Sequence, residues 1–117
     1  MINDMRAAIV FLCACAQNNT EKRMLYDFKQ KKYYHYHLLK DSIRYSLYDY
    51  GRGSYLQGNL SQIFDTKTQS YISLKLEGNR FIGLDRQSGS HIYGNINNNL
   101  ITVFDTQKNK YIHYAIF

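Results

Sequence analysis

Five aspartates recur along the chain, each behind an aromatic residue or Leu: Tyr26-Asp27, Tyr48-Asp49, Phe64-Asp65, Leu84-Asp85 and Phe104-Asp105. Carboxylates spaced regularly at turns can build an oxygen cage for Ca²⁺. An Asp entering a turn can also accept hydrogen bonds from the backbone N–H groups two residues on, closing the loop without an ion. Successive aspartates stand 22, 16, 20 and 20 residues apart, too sparse for a calcium-binding β-roll, so turn capping is the preferred reading. No metal or other cofactor is expected.

The four histidines, His35, His37, His91 and His113, are the other residues with acid–base or metal-ligating chemistry. His35 and His37 are two apart and share one face of a strand. No carboxylate lies at a fixed local offset to orient any of them, and His91 and His113 fall at or beside positions that elsewhere carry Tyr. Cys13 and Cys15 have no nearby His or acidic residue in sequence to complete a metal site. The serines lack a Gly-x-Ser-x-Gly elbow, and Gly51-Arg52-Gly53 opens no helix and so is not a phosphate loop. No catalytic residue is assigned, and a small His-dependent hydrolase ranks last among the functional readings.

Binding is better supported. The chain has 15 Lys and Arg against 9 Asp and Glu, a net charge of +6, which attracts anions. Lys29, Lys31 and Lys32 run directly into Tyr33 and Tyr34, and lysines interleaved with aromatics can hold a phosphate backbone and stack bases. Tyr is also abundant, at 12 residues, and exposed Tyr offers rigid contact area with a polar tip. The candidate binding residues are Lys29, Lys31, Lys32, Tyr33, Tyr55, Tyr71, His91 and Tyr111.

The elements that position these residues follow from linked spacings. Six residues beyond each Asp comes Tyr33, Tyr55, Tyr71, His91 or Tyr111, always preceded by Ser or Lys and followed by an apolar or aromatic residue. The segments between, such as Tyr50–Ser54 and Arg86–Ser90, are polar hairpin loops in which Gly or Asn supplies positive φ. Second turns fall halfway, at Gly58-Asn59, Glu77-Gly78-Asn79 and Asn97-Asn98-Asn99. Strict alternation fills the gaps: Ile72, Leu74 and Leu76 oppose Tyr71, Ser73 and Lys75.

This pattern predicts an all-β, antiparallel up-and-down meander of ten short strands, near 23–28, 32–39, 42–49, 53–58, 60–65, 70–76, 80–85, 90–96, 100–105 and 110–116. So long a meander leaves two open edges unless it curls into a closed or nearly closed barrel; a two-layer sandwich or open twisted sheet is the alternative. The length of 117 residues fits one domain, and 44% hydrophobic with 15% aromatic residues excludes a disordered coil.

The stretch Tyr48-Asp49-Tyr50-Gly51-Arg52-Gly53-Ser54-Tyr55 is similar to the YDYG-x-GSY repeats of small, uncharacterised bacterial all-β proteins, a likeness extending over about residues 47–117. The resemblance implies a bacterial origin and adds no site residue.

Residues 1–16 differ from the rest. Arg6 precedes an apolar run from Ala7 to Ala16 ending in Ala14-Cys15-Ala16, the parts of a secretory signal peptide, which would leave residues 17–117 as a single β domain. Alternatives are a short buried helix or first strand, and a lipoprotein-like box with the lipid on Cys15. The run is too short for a transmembrane helix. Together these features predict an exported module, periplasmic, envelope-bound or secreted. It would recognise an anionic, polysaccharide or protein partner through a Tyr and Lys face. A cytoplasmic nucleic-acid-binding β barrel is the alternative.

Overall fold

The computed structural model describes residues 1–19 and 21–117. A helix, α1 (Asn3–Asn18), precedes ten strands: β1 (Met24–Asp27), β2 (Lys32–Asp41), β3 (Arg44–Asp49), β4 (Ser54–Asn59), β5 (Gln62–Asp65), β6 (Ser70–Glu77), β7 (Arg80–Asp85), β8 (Ser90–Asn97), β9 (Leu100–Asp105) and β10 (Lys110–Ile116). Each strand pairs antiparallel with its chain neighbours, and β1 closes on β10 with Leu25 opposite Ile116 and Asp27 opposite Tyr114. The sheet is therefore a closed barrel without edges, and the sandwich and open-sheet alternatives are excluded. Every strand bound lies within two residues of its expected position.

Alternation decides which side chains enter the lumen. The register pairs Leu25 with Tyr34, Leu47 with Leu56, Ile63 with Ile72, Gly83 with Ile92 and Val103 with Ile112, one inward pair per hairpin. All of these side chains are buried. The loops carrying the aspartates are four residues long, and their last residue takes positive φ in each: Lys31, Gly53, Gln69, Gly89 and Asn109. Gly and Asn adopt that conformation readily; Lys31 and Gln69 adopt it without that advantage.

The lumen is filled by α1. Every residue from Met5 to Cys15 is buried. A helix apolar on all sides belongs in a core rather than on a surface, and this segment is apolar throughout except for Arg6. Its 16 residues span about 24 Å at the usual helical rise, close to the full 28 to 30 Å extents of the molecule. Small side chains let it fit: Ala7, Ala8, Cys13 and Ala14 are wholly buried. Gly83 contributes from the wall, because a Cβ there would stand 2.9 Å from Ile9 Cγ2 of the helix.

The apolar run expected as a signal peptide is thus, in the folded chain, the core of the barrel, as the buried-helix alternative anticipates. No described helix is long and apolar enough to cross a membrane.

Candidate recognition site at the hairpin-tip end

The helix begins at the end of the barrel that carries the β1–β2, β3–β4, β5–β6, β7–β8 and β9–β10 loops. There Asp27, Asp49, Asp65, Asp85 and Asp105 all point inward and are buried. Each caps its own loop: the N–H two residues on donates to Oδ1 at 2.9 to 3.1 Å, from Lys29, Gly51, Lys67, Gln87 and Gln107. This is the turn-closing role expected of them. Two buried arginines moderate the ring. Arg52 Nη2 lies 2.6 Å from both oxygens of Asp65, and Arg6 Nη1 lies 3.0 Å from Asp105 Oδ2. The positive end of the α1 dipole also faces these carboxylates. The ring is a structural device, sealed from solvent by its own loops.

The candidate residues Tyr33, Tyr55, Tyr71, His91 and Tyr111 occupy the second position of β2, β4, β6, β8 and β10 and point outward. Each pairs across the strand with the residue before an Asp. Ring centroids stand 4.6 Å apart for Tyr26 and Tyr33, 4.8 Å for Tyr48 and Tyr55, 5.2 Å for Phe64 and Tyr71, and 5.0 Å for Phe104 and Tyr111. Leu84 takes the equivalent place opposite His91. Alternate strands put successive members roughly 10 Å apart around the wall. The five therefore form a belt, and one compact partner reaches only a few of them.

Barrel closure concentrates charge at one point of this belt. Lys29, Lys31 and Lys32 lie on the β1–β2 hairpin, and pairing of β1 with β10 brings Lys108 and Lys110 of the β9–β10 hairpin beside them. Repulsion from Lys110 first, and then some desolvation and the charges of Lys108 and Arg6, lowers the pKa of the Lys29 ammonium. Exposed Phe28, Tyr33 and Tyr111 flank the cluster. Sequence spacing did not group Lys108 and Lys110 with the first loop because they lie 76 to 81 residues beyond its lysines; a Lys three places and one place before Tyr111 was no signal without the seam.

The other reactive groups are dispersed. His35 and His113 are exposed, His37 and His91 half-buried, and His113 Nδ1 is 3.2 Å from Thr102 Oγ1. No three His, Cys, Asp or Glu side chains among the described residues are grouped to hold a metal ion. Cys13 and Cys15 are buried free thiols on α1.

No protein-family model matches the chain, and comparison with curated proteins and with solved structures returns no match. Function must be read from the barrel's own surface.

Proposed function

We propose that the protein is a non-enzymatic binding module that holds an acidic polysaccharide on the lysine and tyrosine seam between its first and last hairpins. The observation that carries this reading is the convergence of Lys29, Lys31, Lys32, Lys108 and Lys110 beside Phe28, Tyr33 and Tyr111. Mutual repulsion at Lys29 marks a place that an anion would relieve.

The geometry of the rings favours a hydroxyl-rich polymer over nucleic acid. The belt pairs lean on one another at 51° to 63°, offering edges and phenolic tips more than open faces. Base stacking needs open faces; hydrogen bonding to sugar hydroxyls needs the tips. We take α1 to be retained in the folded protein, since cleavage after Ala16 would remove the segment that fills the lumen.

Titration with polygalacturonate at increasing salt tests the reading. Affinity should fall log-linearly with salt as counterions are released. Replacing Lys29, Lys31, Lys32, Lys108 and Lys110 with Gln should flatten that slope while moving the melting temperature little, because exposed charges add little stability. An unchanged slope would remove the seam from the site. Tighter binding of single-stranded RNA than of polygalacturonate would favour the nucleic-acid reading.

A further inference from the structure

On the outer wall, a row of side chains starts at the lysine seam and leads away from it. Register makes Tyr111 of β10 the partner of Phe104 on β9, and Phe104 the partner of Tyr93 on β8. Tyr93 is in turn the partner of Ile82 on β7, and Ile82 the partner of Lys75 on β6. Each stands next in sequence to a buried, lumen-facing residue (Ile112, Val103, Ile92, Phe81 and Leu74) and so points outward. Tyr111 is 67% exposed, Tyr93 47% and Ile82 39%. Four steps between neighbouring strands carry the row about 19 Å. Tyr111 is the second residue of β10 and Lys75 the sixth of β6. The row therefore winds obliquely from the hairpin-tip end towards the opposite end, as strand tilt in a closed barrel requires.

At its far end the row enters a cleft of about 390 Å³ whose lining includes Lys75, Glu77, Arg80, Ile82 and Tyr93. Lys75 and Arg80 are both exposed, and these two cations face one carboxylate, Glu77, the register partner of Arg80. A second row runs beside the first: His113, Thr102, Asn95 and Arg80 are register partners in succession. It is polar throughout, offering imidazole, hydroxyl, amide and guanidinium groups. Tyr93 also differs from the leaning ring pairs of the belt. Its ring is 15° from parallel to that of His91, with centroids 6.5 Å apart.

An apolar strip one side chain wide, next to a hydrogen-bonding strip and with cations at both ends, suits a linear acidic polymer. A globular partner needs a broad patch instead. Sugar rings carry C–H groups on their faces and hydroxyls and carboxylates at their edges. We propose that this row is a second saccharide site, which takes the same acidic polysaccharide onward from the lysine seam to the Lys75 and Arg80 cleft. Sugar faces lie on Tyr93 and Ile82, edge hydroxyls reach Asn95 and Thr102, and a carboxylate meets Lys75 and Arg80. The inference rests on the polysaccharide reading above and adds to it a path and a minimum length. One chain engaging both ends binds more tightly than either end alone, because the second contact is intramolecular.

The test compares trigalacturonate, too short to join the two ends, with decagalacturonate, which is long enough, on the full chain. Decagalacturonate should shift the amide resonances of Ile82, Tyr93 and Asn95 together with those of Lys31 and Lys110. It should bind about tenfold or more tighter than trigalacturonate. Tyr93→Ala, and separately Lys75→Gln combined with Arg80→Gln, should each weaken the long probe about tenfold. The charge variant should also flatten the salt slope of the long probe. Trigalacturonate binding at the seam should be unchanged in both. Exposed charges add little stability, so the Lys75 and Arg80 variant keeps the test clear of folding effects. If decagalacturonate shifts the seam amides alone, or binds both variants as it binds wild type, the second site is overturned while the seam stands. If neither probe binds wild-type protein, the polysaccharide reading falls and this site with it.

Discussion

Arg6 Nη1, on the helix inside the barrel, lies 3.0 Å from Asp105 Oδ2 at the end of β9, with both side chains essentially sealed from water. The same guanidinium donates from Nε to the Tyr114 hydroxyl at 2.7 Å and from Nη2 to Asn3 Oδ1 at 2.7 Å. One side chain near the start of the chain is thereby joined to the last hairpin, fixing how far the helix slides into the lumen and which way it is turned. It also supplies Asp105 with the Oδ2 donor that a loop residue provides for Asp27, Asp65 and Asp85.

Removing Arg6 leaves the Asp105 carboxylate buried and short of its cation. Arg6→Met should lower stability in urea denaturation by about 3–5 kcal/mol, the range for breaking a buried ion pair from one side. The double variant with Asp105→Asn should recover part of that loss, since the orphaned charge goes too. A cost within the range of an exposed ion pair, below about 1 kcal/mol, would mean the helix is held by packing alone.

Asp49 makes a prediction with a definite sign. Burial raises its pKa above the ordinary 3.8, opposed incompletely by the Arg52 N–H, the Arg52 charge and the Gly51 N–H. The native state therefore holds this proton to higher pH than the unfolded chain does. Its contribution to stability is complete below 3.8 and is lost as pH rises through the raised native value. The melting temperature of Asp49→Asn relative to wild type should climb across that window and then level off towards neutrality. A difference that stays flat with pH would show that Asp49 ionises as an ordinary surface carboxylate.

The thiols report on the helix. Burial pushes the Cys15 thiol up to about 12 and Cys13 higher still, so neither forms thiolate near neutral pH. Ellman's reagent should label both only as fast as the barrel opens globally, with urea accelerating both in parallel. Rapid labelling of Cys15 and Cys13 in native buffer would place α1 outside the lumen. Intact-mass analysis of protein from fractionated cells complements this: a species lacking residues 1–16 would show that the lumen is emptied or filled otherwise.

Much of the architecture was legible because it is written in local rules. Alternation at Ile72, Leu74 and Leu76 and turn residues at Gly53, Gly89 and Asn109 act over a few neighbours, so ten strands could be placed from spacing. The outward belt of Tyr33, Tyr55, Tyr71, His91 and Tyr111 follows from the same parity. So does the inward direction of the aspartates: Asp27, Asp49, Asp65 and Asp105 each stand two residues after buried Leu25, Leu47, Ile63 and Val103. The parity signal was present, but a carboxylate in an interior is unexpected until its capping donors are seen.

The amino-acid sequence alone determined the number of strands, their order as an up-and-down meander, the loops and the outward residues, because each depends on contacts between near neighbours. Only the tertiary structure decided that the sheet closes, that Lys108 and Lys110 join Lys29, and that Arg52 abandons Asp49 for Asp65. It also decided the place of residues 3–18, because an apolar helix looks alike whether it awaits a membrane or a barrel. What distinguishes the two is a lumen wide enough to receive it, and that lumen exists only once β1 has met β10.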